Sequence, residues 1–462
     1  MHHYHTNVRP VRRTRSIDML HGPIGRKLIL FALPLAFTGI LQQLFNAADV
    51  AVVGRFVGKN AMAAVGSNTS VISLLLNLFV GISLGANVVI SKFIGQRERE
   101  GVRKAVHTSI LVGLISGVFL TVLGELLTRP ILAWMGVPEE IAPMAETYLR
   151  IYLLGMPVIL LYNFESAIFR SKGDTRTPLI CLIASGIVNV GLNLLLVLVV
   201  RLDVAGVAIA TVASNLIGAA ILLWSLLRSE DQVSVAWGEL RLDPVVLREM
   251  LRIGVPSGIQ SMMFSLSNIL IQSAINSLGA EVMAASSAGF NIEVMAFYVT
   301  SAFGSACTTF VGQNFGAGEF RRCKRVTRIS MVQNVLCSGA ISLGILAFAA
   351  PLLRLFNGDP AVIAYGVTRL WYILLVQPLN AVIEIISGSM RGYGRSLEPA
   401  LVSLFGICGV RILWIYTAFR AIGTYAALLT AYPLSWVVTA LGLTVLYLVF
   451  IRHRDRILAA DM

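Results

Sequence analysis

Long apolar segments alternate with short polar ones along the chain, and Gly, Pro and charged residues mark the boundaries. Each apolar segment is long enough for a helix that crosses a bilayer, which needs about 20 residues. We predict twelve such helices, near residues 27–53, 61–90, 106–127, 143–169, 177–200, 206–227, 249–279, 282–310, 326–348, 362–390, 398–420 and 424–450. The pattern therefore predicts an all-α integral membrane protein.

Pieces of the first half return in the second half, which indicates an internal duplication. The pairs, each at an offset of 221 residues, are 127–132 with 348–353, Met156-Pro157 with Gln377-Pro378, and 169–178 with 390–399. Because each half holds an even number of spans, both halves enter the membrane from the same side. We therefore predict two parallel six-helix repeats that form two lobes with a cavity between them.

The polar connection at 228–248 is the predicted boundary between the lobes. The chain then divides into a tail at 1–26, a first lobe at 27–227, a second lobe at 249–450 and a tail at 451–462. Most of the 37 Lys and Arg residues fall on the side of the membrane that holds both tails. The positive-inside rule predicts that this side, with both termini, is cytoplasmic.

Composition agrees with a membrane protein. With 56% hydrophobic residues, 13% charged residues and a mean hydropathy of +0.78, the chain has more apolar surface than a soluble core can bury. The net charge of +13 lies in short basic runs between the spans, where lipid headgroups account for it. We therefore expect the bilayer as a partner and no binding of nucleic acid.

Ionisable residues inside the spans are candidates for function, because a charge in hydrocarbon is costly unless it is paired or hydrated. The candidates are Asp49, Glu165, Glu293, Glu384 and Arg411. For Glu165 and Glu384, an ion pair with nearby basic residues at the membrane interface stands beside a transport role. Arg411 is predicted to neutralise one of the two glutamates of the second lobe, with substrate binding as the alternative.

Polar side chains share faces on three predicted spans of the first lobe. They are Gln42, Asn46 and Asp49 on the first span, Asn189 and Asn193 on the fifth, and Thr211 on the sixth. If these faces converge, a carboxylate lies among amide and hydroxyl groups that can hold a proton or a sodium ion. Burial favours the protonated carboxyl, whereas a bound cation keeps it ionised. The alternative is that Asp49 caps a helix end near the outer surface.

Motifs for enzyme chemistry are missing from the sequence. Gly81-Ile-Ser-Leu-Gly85 matches the nucleophile-elbow pattern, but it lies inside an apolar helix and lacks a partner histidine. The chain has no phosphate-binding loop of the Walker type either. We predict no enzyme activity, no cofactor and no structural metal, and we interpret Gly81/Gly85 and Gly113/Gly117 as faces for close helix packing.

Several motifs, in this order, resemble those of the multidrug and toxic compound extrusion (MATE) transporters. They are Pro34, Asp49-Val-Ala-Val-Val-Gly-Arg-Phe-Val-Gly58, Ala-Val-Gly at 64–66, Phe-Ile-Gly-Gln at 93–96 and Met390-Arg-Gly-Tyr-Gly394. The resemblance covers nearly the whole chain. It implies two lobes around a central cleft, alternating access, and export of small organic cations in exchange for sodium ions or protons. It also implies a monomer in a bacterial inner membrane.

The resemblance implies roles for single residues of the first lobe. Asp49 stands where the family keeps its first-helix aspartate, a residue of the cation site. Asn189 matches the asparagine of the fifth-helix Asn-x-x-x-Asp pattern, but Asn193 stands where the family has aspartate. This departure removes a negative charge and leaves the coupling ion, proton or sodium, open. Thr211 fits the sixth-helix threonine of the same site.

For the second lobe the resemblance implies less. Glu293 and Glu384 lie in spans where some family members carry acidic residues. The alternative function is that of a lipid-linked saccharide flippase, since related transporters share the architecture. A flippase would need several cationic residues in the cleft to bind a pyrophosphate. We predict a single cationic residue deep in the spans, Arg411.

Overall fold

The protein folds into a bundle of helices, which the computed structural model describes for residues 16–460, without the side chains of residues 70 and 457–460. The helices of the first half are α1 (Ile24–Phe56), α2 (Lys59–Gln96), α3 (Arg99–Trp134), α4 (Ala142–Leu154), α5 (Met156–Ser171), α6 (Arg176–Leu194) and α7 (Asp203–Leu227). Those of the second half are α8 (Pro244–Asn276), α9 (Ala280–Gly316), α10 (Phe320–Ala347), α11 (Ala349–Arg354), α12 (Pro360–Leu374), α13 (Gln377–Gly392), α14 (Leu397–Ser403), α15 (Val410–Trp414), α16 (Arg420–Ile422), α17 (Tyr425–Leu429) and α18 (Ala431–Ala460).

Twelve spans account for these helices, as predicted. Within residues 16–460, nine helical segments are long and apolar enough to cross a membrane, and the bent pairs α4–α5 and α12–α13 raise the number to eleven. The twelfth span is α8, which has 33 residues but carries buried polar side chains at Ser257, Gln260 and Ser267. Part of α8 packs against the first half, since Gly254 and Gly258 touch the backbone of α2, and this side of the helix is therefore shielded from lipid.

The fourth span of each half is bent at a proline, as the repeated Met156-Pro157 and Gln377-Pro378 pairs predict. The bend is 49° between α4 and α5 and 42° between α12 and α13. Proline has no N–H to donate and its ring clashes with the carbonyl one turn earlier, so the helix breaks there. Gly117 lets α3 lie directly against Pro157 at the first bend, since a Cβ there would overlap the backbone.

The fifth spans also carry a shared irregularity. The first half has a π-helical segment at Leu195–Val199, and the second half has one at the corresponding place, Ile415–Phe419. A further π-helical segment lies earlier in the same span of the second half, at Leu404–Gly409. Because π-helical turns are rare in proteins, the shared one supports the duplication independently of the sequence repeats.

The two halves meet closely where α2 crosses α8. A Cβ on Gly81 would overlap the backbone of Gly258, and a Cβ on Gly85 would overlap Met250 and Gly254. The predicted packing face of Gly81 and Gly85 is confirmed, and its partner is a helix of the other half. Glycines on both helices allow the two backbones to touch.

We call the end of the molecule that carries residues 16–24 the terminal end, and the halves are closed there. Lys92 Nζ of α2 lies 2.7 Å from Glu249 Oε1 of α8. A Cβ on Gly95 would overlap the backbone of Gln313 in α9. The C-terminal helix is at the same end, since Lys324 Nζ lies 2.8 Å from Asp455 Oδ1.

The N-terminal segment, residues 17–22, lies across this closed end and contacts both halves. Ile17 N donates to Gly173 O of the first half at 3.0 Å. Asn314 Nδ2 of the second half donates to Met19 O at 3.1 Å, and Arg322 Nη2 donates to Gly22 O at 3.1 Å. Met19 itself is fully buried. The segment therefore ties the two halves together.

Toward the opposite end, the first helix of each half exposes polar side chains. They are Gln42 and Asn46 of α1 and Asn268, Gln272 and Asn276 of α8. Amides at this depth are costly against lipid but not against water. We therefore expect these faces to line a water-filled cleft between the lobes that is closed at the terminal end.

Candidate functional site

Asp49 is the buried carboxylate of the first lobe, and three helices bring polar side chains to it. It lies in α1 with 6% of its surface exposed. Asn193 Nδ2 of α6 donates to Asp49 Oδ1 at 2.5 Å, and Thr211 Oγ1 of α7 donates to Asp49 Oδ2 at 3.2 Å. Asn193 Nδ2 also donates to Asn189 Oδ1 at 3.3 Å. We call these four residues the Asp49 cluster.

The Asp49 cluster has more acceptors than donors. Thr211 has one hydroxyl hydrogen, which is shared between Asp49 Oδ2 and Val207 O at 2.9 Å. Asn193 Oδ1 is buried and has no hydrogen-bond partner. A buried carboxylate normally collects several donors. The cluster therefore offers oxygen atoms to a proton or to a small cation.

The rest of the predicted polar face of α1 lies apart from this cluster. Gln42 and Asn46 are exposed, and no hydrogen bond joins either side chain to Asp49 in the described part of the chain. The alternative interpretation of Asp49 as a helix cap is wrong, because α1 continues to Phe56 and Asp49 accepts from side chains of other helices. The polar faces of the first, fifth and sixth spans do converge, and Asp49 is the residue of the first span that contacts the other two.

In the second lobe, Glu293 pairs with Arg369 and not with Arg411, so the predicted pairing of Arg411 is wrong. Arg369 Nη2 and Nε lie 2.6 Å and 3.0 Å from the two carboxylate oxygens of Glu293, and Arg369 Nη1 donates to Ser286 Oγ at 2.8 Å. Both charged side chains are buried, with 2% of Arg369 and 9% of Glu293 exposed. This bidentate pair joins α12 to α9.

Glu293→Gln is expected to lower the free energy of unfolding by about 3–5 kcal/mol, because it leaves the guanidinium of Arg369 buried without a counter-charge. Thermal unfolding of the detergent-purified protein measures the effect. The matched control is Glu398→Gln, which removes an exposed pair with Arg395 and should change stability by less than about 1 kcal/mol. Equal shifts for the two variants would contradict the role that we give the buried pair.

Arg411 lies in α15 and makes contacts that hold no negative charge. Its Nη1 donates to Asn268 Oδ1 of α8 at 3.1 Å, and its Nε donates to Ser435 Oγ of α18 at 3.2 Å. The guanidinium carbon lies 4.4 Å from the centre of the Tyr432 ring. Arg411 has 5% of its surface exposed, and the groups in direct contact with its guanidinium are all neutral.

The remaining two glutamates differ from each other. Glu384 Oε2 lies 4.0 Å from Arg391 Nη2, as the ion-pair alternative predicts. Glu165 is fully buried in α5, and neither of its carboxylate oxygens has a hydrogen-bond partner in the described chain. The ion pair expected for Glu165 is therefore wrong, because the carboxylate is enclosed and no basic side chain of the described chain reaches it.

Glu165→Met is expected to leave transport unchanged and to raise the midpoint of thermal unfolding by a few degrees. The change replaces an unpartnered polar group with an apolar one of similar length. Glu384→Met is the matched control and should lower the midpoint, since it strands Arg391. A lower midpoint for Glu165→Met, or a loss of transport, would give Glu165 a functional role instead.

Arg369 is not among the predicted residues, although a charged residue inside the tenth span satisfies the rule that selected the others. Its partner Ser286 and the Arg411 contacts Asn268, Tyr432 and Ser435 carry no comparable sequence signal. Within residues 16–460, no group of three His, Cys, Asp or Glu side chains is arranged to hold a metal ion.

The fold and the site define a class: helical membrane proteins of two repeated lobes, with buried ionisable groups in each lobe. The MatE family model matches residues 34–195 and again 256–417. The chain therefore belongs to the MatE family, and this membership agrees with the resemblance in its sequence motifs.

Relatives and solved structures agree with this membership. YoeA of Bacillus subtilis (strain 168), named a probable multidrug resistance protein, is 31% identical over 89% of this chain and 92% of its own length. A protein of Shewanella oneidensis named FAD transporter is 26% identical over 90% of this chain and 93% of its own. An outward-facing structure of a multidrug resistance MATE family transporter has the same fold, with a TM-score of 0.89 at 20% identity, over 96% of this chain and 100% of its own.

Proposed function

We propose that the protein is a secondary active efflux transporter, and not an enzyme, that exchanges small amphipathic compounds with a cationic group for protons or sodium ions by alternating access. The observation that carries this proposal is the Asp49 cluster, a buried carboxylate with too few donors. A site of this kind binds and releases one cation according to its protonation and hydration. Family membership supports transport of small molecules across a membrane.

The coupling ion is a proton or a sodium ion. Carboxylate, amide and hydroxyl oxygens are ligands for a hard cation, and Asp49, Asn193 and Thr211 supply all three kinds. A proton on Asp49 also fits the cluster, because rotation of the Asn193 amide would offer Oδ1 as its acceptor. In either case the bound ion changes the charge of the site and so favours one conformation over another.

Alternating access requires that the closed end opens. The contacts that hold the halves together there are the glycine crossing of α2 with α8, the Lys92–Glu249 pair and the N-terminal segment. We propose that the terminal end, with both chain termini, faces the cytoplasm of a bacterial inner membrane and that the protein works as a monomer. Basic residues at this end, such as Arg97, Arg99 and Arg103, support the orientation.

The second candidate is a lipid-linked saccharide flippase. A pyrophosphate needs several unneutralised cationic side chains. The second lobe has two deep arginines, but Glu293 neutralises Arg369, so one net positive charge is left. This balance favours small molecules over a pyrophosphate lipid.

Efflux of a fluorescent organic cation from cells that express the protein tests the proposal, with the proton gradient and the sodium gradient collapsed separately. Export that stops when one gradient is collapsed supports antiport and identifies the ion. Export that survives the loss of both gradients contradicts ion coupling. No export of any dye under any gradient contradicts the proposal and favours the flippase.

A further inference from the structure

The two lobes hold sites at equivalent positions, and their charges are opposite. The two ranges that match the MatE model are equally long and run at an offset of 222 residues, from 34 to 256 and from 195 to 417. The repeated motifs run at 221 residues, so Asn189 corresponds to Arg411 or its neighbour Val410, Asn46 corresponds to Asn268 or Ser267, and Asp49 corresponds to an isoleucine or a leucine. The second lobe therefore has an arginine near the place where the first lobe has its carboxylate.

The contacts agree with this correspondence. In the first lobe, Asp49 joins the first, fifth and sixth spans through Asn193 and Thr211. In the second lobe, Arg411 joins the same three spans, because it lies on the fifth and donates to Asn268 on the first and Ser435 on the sixth. Two sites built from the same helices of a duplicated unit have acquired opposite charge.

No carboxylate forms a hydrogen bond or a close ion pair with Arg411 in the described chain, although Glu293 attracts its charge from a longer distance. The hydrogen-bond acceptors of Arg411, Asn268 and Ser435, are neutral. Both carboxylate oxygens of Glu293, which lies inside the same lobe, accept hydrogen bonds from Arg369. A buried guanidinium without an anion is costly, so such groups normally have a partner.

Arg411 also has an N–H donor that makes no hydrogen bond within the described chain and is not enclosed. Nη2 makes no hydrogen bond in the described chain, and it is not among the side-chain nitrogens that are enclosed without a partner. Asn268, whose Oδ1 is occupied by Arg411 Nη1, is exposed on the cleft-facing helix α8 and retains its Nδ2 hydrogens. Two N–H donors from neighbouring residues are thus left for a ligand.

We propose that Arg411 and Asn268 form a binding site for the carboxylate or phosphate group of a transported compound. Arg411 Nη2 and Asn268 Nδ2 donate to two oxygens of that group, while the Tyr432 ring holds the guanidinium from behind. The proposal rests on the proposed function and narrows its substrate class. The transported compounds therefore carry an anionic group, with or without a cationic one, and are zwitterionic or anionic.

Rhodamine B and its ethyl ester test this site, because the two dyes share one cationic ring system and differ only in the free carboxylate. Fluorescence anisotropy with the purified full-length protein in detergent measures their binding directly. The wild type should bind rhodamine B about tenfold more tightly than the ester, which is the effect of one charge-assisted hydrogen bond.

Two variants test whether Arg411 causes the difference. Arg411→Gln removes the charge, and Asn268→Asp supplies an internal carboxylate to the guanidinium without disturbing its packing. Both should bring the ratio of the two affinities close to one while leaving the ester's affinity unchanged. Arg420→Gln, an exposed arginine of the same span, is the matched control and should keep the wild-type ratio.

Other outcomes overturn the proposal. Equal binding of the two dyes to the wild type, no binding of either, or a ratio unaffected by Arg411→Gln and Asn268→Asp would each do so. Stabilisation by phosphatidylglycerol that depends on Arg411, without a difference between the dyes, would assign the site to lipid phosphate instead. Failure of efflux in cells with binding intact would count against the proposed function and not against this site.

Discussion

Asp49→Asn is expected to abolish export that depends on an ion gradient, lowering the rate by at least about tenfold at equal protein abundance. The variant retains the size of the side chain and can donate to Asn193 Oδ1, which has no partner in the wild type. The Asp49 cluster therefore stays packed, but it carries no charge that a proton or a sodium ion could neutralise. Dye efflux from cells, normalised to the protein in the membrane, measures the loss.

The matched control for this prediction is Asp203→Asn. Asp203 is an exposed carboxylate at the start of α7, the helix that also carries Thr211. Its backbone has a φ of 49°, which asparagine adopts readily. The control variant should export as well as wild type. If Asp49→Asn also exported as well as wild type, Asp49 would not be the coupling residue.

Gly81→Val is expected to abolish export for a different reason, since it prevents closure of the lobes at the terminal end. The added side chain would overlap the backbone of Gly258, and neither helix can yield without moving its whole lobe. The protein should still fold, because Gly81 lies between the halves and not inside one. Transport stops because one of the two alternating states is lost.

Efflux together with hydrogen exchange measures this effect. Residues 310–318, where α9 meets α2 at the closed end, should exchange faster in Gly81→Val than in wild type. Gly66→Val is the matched control, because Gly66 lies in the same helix and has open space where a Cβ would be. Wild-type export by Gly81→Val would mean that the glycine crossing is not needed for closure.

Much of the fold is predictable from the sequence because its signals are local. Hydropathy predicts the spans, and the repeated prolines predict the bends before Pro157 and Pro378. The hydropathy of α8 is low for a span, because some of its polar side chains are buried and others, such as Asn268, lie on the exposed polar face. The packing face of Gly81 and Gly85 is predictable, but its partner helix is not, since helix spacing says nothing about which helix will face it.

The site is predictable in part for the same reason. Asn189 and Asn193 share a face by their spacing, Asp49 is a charged residue inside a span, and Thr211 is a polar residue of the sixth span. The family resemblance assigns Asp49 and Thr211 to one cation site. The partner of Glu293 depends on how deep α9 and α12 lie and how they are rotated, and one sequence carries no information on either. The sequence therefore predicts Arg411 as the partner of a glutamate, whereas the packed helices bring Arg369 to Glu293.

The N-terminal segment affects how the closed end can open. It is covalently part of α1, yet its backbone is held by Gly173 of one half and by Asn314 and Arg322 of the other. Separation of the halves at this end must break at least one of these sets of hydrogen bonds. The segment is thus a covalent strap whose hydrogen bonds add to the free-energy cost of opening this end.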